Sequence, residues 1–398
     1  MTSPSESQTR PAGGQLSGKL LYLVTEDWQF CLHFLVMARA ARQSGLDVAV
    51  ATRIRNHEAQ ITAEGFRAIP LEIDRGSLGS LPAAVAVRNI AKIIQSERPD
   101  IVHCIGLPMA VLGGLASRIM GVNKIVLAPT GLGHLWIFQD LSVRTLRMLV
   151  RLFVGRLLRS RSVYYLFENS EDAAEFGIQP QDSHLTIIGG VGVEAKYPLS
   201  PEPPSPPVRV AVVSRMLRTK GIVESVEATQ AAIAKGADVE LHLFGIPDPS
   251  NPSSLTTAEL LAFANLKNVY WHGFTEQIAN VWDEHHIGML MSYREGLPRS
   301  LVEAAACGRP IITSDVVGCR EVVHDGVQGF LVPPHDIAQI AERLAQLAAD
   351  KDLRVRMGHA AHSRFSLEFT AEKVAQTITS FYRRLFESGR QLSDQRAR

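Results

Sequence analysis

The chain has 398 residues, of which 46% are hydrophobic and 20% charged, and this length suggests two or three domains with cores of their own. Its 41 basic and 40 acidic residues give a net charge of +1, so no overall field draws it onto nucleic acid. The four cysteines form no CxxC pair, which argues against a disulfide scaffold or structural zinc and fits a reducing cytoplasm. The apolar run Leu20–Val24 is too short for a signal-peptide core, so no signal peptide is expected. The longest uncharged run, 101–117, is interrupted by proline and glycine, so no membrane-spanning helix is expected either.

The first 18 residues are polar and rich in Pro, Gly and Ser, which predicts a disordered arm. After this arm, short runs rich in Val, Ile, Leu and Tyr alternate with stretches of helical period, a pattern typical of parallel sheets covered on both faces. They predict a first doubly wound domain over 19–197. Its predicted strands are 20–25, 47–52, 66–71, 100–106, 124–130, 163–169 and 185–190.

A proline-rich segment, 198–208, divides the chain almost in half. Its prolines cannot continue a helix or a central strand, so a stiff linker is expected there. The same alternation returns over 209–370. The predicted strands of this second half are 208–214, 239–245, 269–273, 287–293, 310–315 and 329–334.

The C-terminal part of the chain is predicted to be helical, at 336–349, 351–363 and 370–388. We expect the last helix, 371–388, to pack back on the first domain and residues 389–398 to be frayed. The predicted fold class is therefore α/β, with two doubly wound, Rossmann-like domains facing across a cleft. Ligands of such sheets bind at the carboxyl ends of the strands, so the site is expected between the domains.

The usual nucleotide fingerprints are missing from the sequence. No GxGxxG follows the first strand, and GLGHLW at 131–136 lacks the third glycine, which argues against a nicotinamide dehydrogenase. The absence of GxxxxGK[ST] excludes a P-loop ATPase. The single Asp-x-Asp, Asp350 to Asp352, precedes a predicted helix and is interpreted as a helix cap rather than a metal site.

The most informative stretch runs from 293 to 336. A strand ends at its start, and a loop follows with Glu295, Gly296, Leu297 and Pro298. A helix is predicted next, so backbone N–H groups and a partial positive charge face the cleft at its N-terminus. Glu303 lies eight residues after Glu295, within that helix. Two carboxylates at different depths along one ligand can hold two sets of hydroxyls, such as those of a sugar and a ribose.

A second element, SRMLRTKGI at 214–222, follows the first strand of the second half. A basic pair at a strand end and close to a helix start suits a diphosphate. The guanidinium of Arg215 can fork onto phosphate oxygens, and Lys220 adds a point charge.

Glu295 and Glu303 form an E-x7-E pattern, and with GRPIITSD, GCREVVHDG and GFLVPPHD this stretch resembles the retaining GT-B glycosyltransferases of family four. SRMLRTKGI resembles the same family's SRxxxxKG element. In the first half, DIVHCIG, GLASRIMGVNKIVLAPTGLG and VYYLFENSEDAAEF are similar, more loosely, to sugar-nucleotide transferases of bacterial capsule, O-antigen and N-glycan assembly. The resemblance covers about 18–388.

The resemblance implies a retaining hexosyltransferase that needs no metal or other cofactor. The donor would be a nucleotide-sugar, a UDP-hexose or UDP-N-acetylhexosamine, and the acceptor an oligosaccharide, expected to be polyprenyl-diphosphate-linked. In relatives Glu303 would hold the ribose hydroxyls, Glu295 the donor sugar, and Arg215 with Lys220 the diphosphate. A GT-B phosphorylase or epimerase, and a non-catalytic nucleotide-sugar-binding subunit, stay open as alternatives.

The contact with the donor sugar is less well defined. Many relatives place a histidine before the glycine that follows the fifth strand, where this chain has Thr130 and Gly131. The backbone around Gly131, His103 at a strand's carboxyl end, and His134 are the candidates. A hydrogen-bonded core histidine is the alternative interpretation of His103 and His134.

Residues 141–162 contain six arginines and no acid, and Arg144, Arg147 and Arg151 fall on one helical face. Such a helix can lie on an anionic membrane. Alternatively, it covers the sheet with its apolar side while its arginines are solvated. Because the relatives extend lipid-linked acceptors, we expect a cytoplasmic protein that can contact the cytoplasmic face of the inner membrane.

Overall fold

The computed structural model describes residues 15–73, 80–194 and 199–396. Most of the predicted N-terminal arm, the first residue of the predicted linker and the last two residues of the chain lie outside this range. The structure has two parallel sheets, and all thirteen predicted strands are present. It confirms the predicted α/β class with two Rossmann-like domains.

The first sheet has seven strands in the order β3-β2-β1-β4-β5-β6-β7. The strands are β1 (Gly18–Glu26), β2 (Leu46–Arg53), β3 (Arg67–Pro70), β4 (Ile101–Ile105), β5 (Lys124–Ala128), β6 (Val163–Phe167) and β7 (Leu185–Ile187). The helices of this half are α1 (Asp27–His33), α2 (Leu35–Gln43), α3 (Glu58–Ala63), α4 (Ser80–Glu97), α5 (Leu107–Ile119), α6 (Gly133–Ile137), α7 (Leu141–Leu152), which continues as a π-helical turn (Phe153–Leu157), and α8 (Ser170–Glu175).

The second sheet has six strands in the order β10-β9-β8-β11-β12-β13. The strands are β8 (Val208–Val213), β9 (Val239–Phe244), β10 (Val269–Gly273), β11 (Ile287–Leu290), β12 (Ile311–Ser314) and β13 (Gly329–Val332). The helices are α9 (Ile222–Ala234), preceded by a 3-10 turn (Arg218–Lys220), α10 (Thr257–Ala264), α11 (Ile278–Glu284), α12 (Arg299–Ala306), α13 (Cys319–Val322), α14 (Ile337–Ala349), α15 (Lys351–Glu368) and α16 (Ala371–Arg396).

The continuous apolar runs of the strands are explained by burial on both faces. On β1, Leu21 and Leu23 pack with α4 and α5, whereas Leu20 and Tyr22 pack on the opposite side with α2 and α16. Side chains alternate across a strand, so a strand covered on both faces needs apolar residues at every position. Each sheet reverses its strand order beside its first strand, at β1 and at β8. These switch points are where such sheets bind ligands.

The last helix packs on the first sheet rather than on the second. Val374, Ile378, Phe381 and Leu385 are buried in the same cluster as β1 and α2. The helix extends through Arg396 rather than ending at 388, which corrects the predicted frayed tail for the described residues. No proline interrupts 371–396, so nothing in the sequence forces the helix to stop at 388. Among the described residues, no helix is both long and apolar enough to cross a bilayer.

Candidate active site

The carboxyl end of β8 carries the two predicted diphosphate cations. Arg215 is 43% exposed in its side chain, and its guanidinium donates to Asp248 at 2.8 Å. Lys220 ends a 3-10 turn that leads into Gly221, which adopts φ +69°. A Cβ at Gly221 would overlap the carbonyl oxygen of Met291, so only glycine lets this turn pack on the end of β11.

The loop after β11 brings Glu295 against that turn. The ammonium group of Lys220 donates to the Glu295 carboxylate, and both side chains are largely shielded from solvent. The Glu295 N–H donates to Val317 at 3.3 Å. Gly318 has φ +82° and packs beside this loop. A Cβ at position 318 would lie 2.5 Å from the Gly296 carbonyl oxygen, so the close approach requires glycine. The turn at Lys220 and the segment at Gly318 therefore hold the loop that carries Glu295 from two sides.

Helix α12 begins at Arg299, directly after Pro298, as predicted. Glu303 is buried one turn into this helix and accepts from the Arg299 side chain at 2.8 Å. Arg299 also donates to the carbonyl of Leu32, at the end of α1. The E-x7-E segment thus lies against the first domain, across the predicted cleft.

The first domain contributes Gly131 to this cleft. The Gly131 nitrogen lies 3.5 Å from the position that a Cβ at Gly296 would take. Gly131 has φ +65° and is exposed, with open space around the position of its own Cβ. His33 of α1 lies on the same side, and burial together with the charges of Arg299, Lys220 and Arg215 lowers its pKa to about 3. Nothing in the sequence singled out His33.

His103 does not face the cleft, which corrects its proposed contact with the donor sugar. Its side chain is completely buried, and its Nδ1 lies 2.8 Å from the hydroxyl of Tyr382 on α16. Burial lowers the pKa of His103 to about 3, so the ring is neutral. His103 is the middle residue of β4, so its side chain points from one face of the sheet towards α16 and not beyond the strand's carboxyl end. The side chain of His134 lies outside the described residues, so its predicted role is untested.

The three arginines predicted to contact a membrane do not share an outward face. Arg147 turns inward and donates to the carbonyls of Leu135 and Phe138 at 2.8 and 2.6 Å. Arg151 lies 3.5 Å from Glu175, and Arg144 is exposed. The outward ridge of α7 is apolar instead. Its exposed fractions are 79% for Leu141, 62% for Met148, 53% for Leu149 and 45% for Leu152. The alternative interpretation of 141–162 holds in part, because Val150, Val154 and Leu158 pack in the core of the first domain while Arg156 and Arg159 are exposed.

Two residues that the sequence did not flag, Glu168 and Asn169, extend from the end of β6 into the interdomain contact. Asn169 is buried and donates to the Gly296 carbonyl at 3.0 Å. Burial, with Asp172 and Glu295 nearby, raises the pKa of Glu168 to about 8. The available signal was their place at a strand's carboxyl end, in the segment FENSED.

Comparison with known proteins identifies related families for both halves of the chain. The family described as Glycosyl transferases group 1 matches residues 194–364, and Glycosyl transferase 4-like matches residues 19–159. Two parallel-sheet, Rossmann-like domains of this kind are the architecture of GT-B transferases. The second half thus matches the group 1 glycosyltransferases and the first half the glycosyl transferase 4-like family, and the protein is a glycosyltransferase with the GT-B fold.

Individual relatives cover most of the chain. An N,N'-diacetylbacillosaminyl-diphospho-undecaprenol α-1,3-N-acetylgalactosaminyltransferase of Campylobacter jejuni is 25% identical over 81% of this chain and 87% of its own length. Putative glycosyltransferase EpsD of Bacillus subtilis is 25% identical over 92% of this chain and 97% of its own. HepE of Anabaena in complex with UDP and glucose has a TM-score of 0.69 at 18% identity, covering 92% of this chain and 99% of that one. The last likeness concerns the fold alone.

Proposed function

We propose that this protein is a retaining glycosyltransferase that moves a sugar from a UDP-hexose or UDP-N-acetylhexosamine to a polyprenyl-diphosphate-linked saccharide during bacterial surface polysaccharide synthesis. The observation that carries the proposal is the contact of Lys220 with Glu295, with Arg215 and Glu303 at the same sheet edge. Cations for a diphosphate and carboxylates for hydroxyls meet there. The name of the Campylobacter relative, which acts on an undecaprenol-linked saccharide, supports the proposed acceptor. The UDP and glucose bound in HepE support the proposed donor.

The cations act on the leaving group. When the bond between sugar and diphosphate breaks, its electron pair goes to the leaving phosphate oxygen. Arg215 and Lys220 stabilise this new charge more than they stabilise the bound donor, so the barrier falls. Glu303 holds the ribose and Glu295 the donor sugar. The acceptor hydroxyl attacks from the face that the diphosphate leaves, and its proton passes to the departing phosphate.

Helix α7 of the first domain, which we propose as the acceptor side, supports membrane contact. In α7 only Val150 is buried, whereas Leu141, Met148 and Leu152 project outward with Arg144 beside them. An exposed apolar ridge on a basic helix fits the headgroup region of an anionic bilayer. This helix belongs to the domain opposite the donor motifs, so a lipid-linked acceptor would enter the cleft from that side. We propose that the protein works peripherally on the cytoplasmic face of the membrane.

The decisive experiment is turnover with a panel of UDP-sugars and a short-chain polyprenyl-diphosphate saccharide. We expect free UDP and an acceptor lengthened by one sugar, whose anomeric configuration by NMR equals that of the donor. An inverted product would refute the retaining mechanism. A need for inorganic phosphate would favour a phosphorylase, and UDP-sugar binding without turnover across the panel would favour a non-catalytic subunit.

A further inference from the structure

The peptide unit between Gly296 and Leu297 is held on both sides by consecutive residues of the other domain. Its C=O accepts from Asn169 Nδ2 at 3.0 Å, and its N–H donates to the Glu168 carboxyl. The two groups of a trans peptide point in opposite directions, so the two contacts fix the plane of the unit. This unit directly follows Glu295, the carboxylate that contacts Lys220.

The orientation of the Asn169 amide is not free. Its Oδ1 accepts the backbone N–H of Asp172 at 2.7 Å and so caps α8. Its Nδ2 donates to Asp172 Oδ2 at 3.1 Å as well as to the Gly296 carbonyl. A flipped amide would lose the cap and set two oxygens against each other. The helix cap of the first domain therefore aims a donor at the loop of the second.

Glu168 and the glycine at 296 fit one another. A Cβ at Gly296 would overlap the Glu168 carboxyl oxygen, so the loop can approach this closely only with glycine there. Charged pairs surround the contact. Arg294 pairs with the buried Asp172, and Arg320 lies 3.2 Å from Glu171. All four contacts link the segment 168–172 of the first domain to the loop that carries Glu295 or to the start of α13.

We propose that Asn169 and Glu168 are positioning residues that clamp the 296–297 peptide when the domains meet, and so set Glu295 in its working orientation. Closure of the cleft and assembly of the donor-sugar site are then a single event. The donor's diphosphate does not need the clamp, because Arg215 and Lys220 approach from the second domain itself. This role for the pair rests on the proposed transferase function, and the clamp itself is open to a test without turnover.

The test uses Asn169→Ser, since serine also caps a helix but cannot donate to Gly296 and Asp172 as the amide does. Asp350→Ser is the control, because it also places a serine at a helix N-cap, that of α15 in the second domain. For Asn169→Ser we expect kcat to fall by roughly tenfold or more, because small displacements of a positioning group carry such effects. We expect UDP affinity to stay within about threefold of the parent, and the control to retain parental kcat.

Hydrogen exchange of the 294–297 amides is the second readout, and it does not depend on activity. Faster exchange in Asn169→Ser, but not in Asp350→Ser, is the expected result. Parental exchange together with parental kcat would overturn the clamp. Faster exchange in a protein that turns over no nucleotide-sugar would leave the clamp standing and refute the proposed function instead, so the two failures are distinguishable.

Discussion

Lys220 and Glu295 lie 75 residues apart in the chain and contact each other through their charged groups, largely shielded from solvent. The cation proposed for the diphosphate and the carboxylate proposed for the sugar thus balance each other's charge. Arg215 has a similar partner in Asp248, at 2.8 Å. We expect the phosphates of a donor to compete with these carboxylates for Lys220 and Arg215.

Removing either cation is expected to slow the reaction. Lys220→Ala and Arg215→Ala should each lower turnover by about 10²-fold, because each takes away stabilisation of the leaving diphosphate. Arg218→Ala is the matched control, since Arg218 lies between them in sequence but contacts Glu259 on α10. Steady-state rates, with thermal unfolding to verify folding, decide the outcome. Parental rates in both cleft variants would contradict the assignment of the phosphate site.

Activity in excess EDTA is the second expectation. Arg215 and Lys220 supply positive charge where other transferases use a divalent ion, and the single Asp-x-Asp caps α15, where Asp350 accepts from the N–H of Leu353 at 2.8 Å. We therefore expect equal initial rates in EDTA and in added Mg²⁺ or Mn²⁺. A strict requirement for either ion would show that the two side chains do not suffice.

We expect the pH dependence of the reaction rate to reflect the ionisation of Glu168. Its pKa is raised to about 8, so the carboxyl is neutral at pH 7 and ionises as the pH rises through 8. Asp172, paired with Arg294, and Glu295, paired with Lys220, face it, and a new negative charge there opposes closure. The rate should fall above about pH 8 in the parent and fall less in Glu168→Gln, which cannot ionise.

The same shift predicts a linkage to stability. A carboxyl with a raised folded pKa contributes stability that is fully present below its unfolded pKa and is lost as the pH rises through 8. The unfolding temperature of Glu168→Gln, relative to the parent, should therefore increase between about pH 5 and 9. An unchanged difference across this range, with identical pH–rate profiles, would place the ionisation elsewhere.

Tyr382 gives a prediction about the fold rather than the reaction. Its hydroxyl lies 2.7 Å from that of Tyr22 and 2.8 Å from His103 Nδ1, which joins α16 to β1 and β4. Tyr382→Phe removes this buried link and should lower the free energy of unfolding by about 1–3 kcal/mol. We expect kcat to be retained, since no member of the trio faces the cleft. A large loss of kcat in a folded variant would return His103 to the reaction.

The sequence revealed what is local and periodic. Apolar runs buried on both faces, such as 20–24 on β1, are recognisable without coordinates, and the turn chemistry around Pro298 set the start of α12. His103 shows where this stops: its partner Tyr382 is 279 residues away, so strand position alone could not distinguish core from cleft. The contact of Asn169 with Gly296 joins two domains, and no local pattern encodes it.

The orientation of α7 is a different kind of failure. Leucines and arginines occur around much of the helix, so spacing could not decide which of them meets the protein. The inward orientation of Arg147 is explained by the carbonyls at the end of α6, which need hydrogen-bond donors. Once Arg147 and Val150 turn inward, Leu141, Met148 and Leu152 must point outward.

This outward ridge leads to the membrane prediction. Leu141→Ser, Met148→Ser and Leu152→Ser together should reduce co-sedimentation with anionic vesicles, because each removes apolar surface from the headgroup region. Leu261→Ser with Leu367→Ser is the matched control, since these leucines are 53% and 70% exposed in the second domain. Arg144→Gln with Arg156→Gln should instead weaken the part of binding that salt suppresses, because surface charges are screened within about 10 Å at 0.1 M.

The ridge variant should bind UDP like the parent, since Arg215 and Lys220 belong to the other domain. It should also glycosylate a short, water-soluble acceptor at the parental rate, while its rate on a polyprenyl-diphosphate acceptor in vesicles falls. That division separates a membrane surface from a part of the active site. If the ridge variant sediments with anionic vesicles as well as the parent and the control do, then α7 is not the membrane surface. The lipid-linked acceptor would then reach the cleft over another face of the first domain.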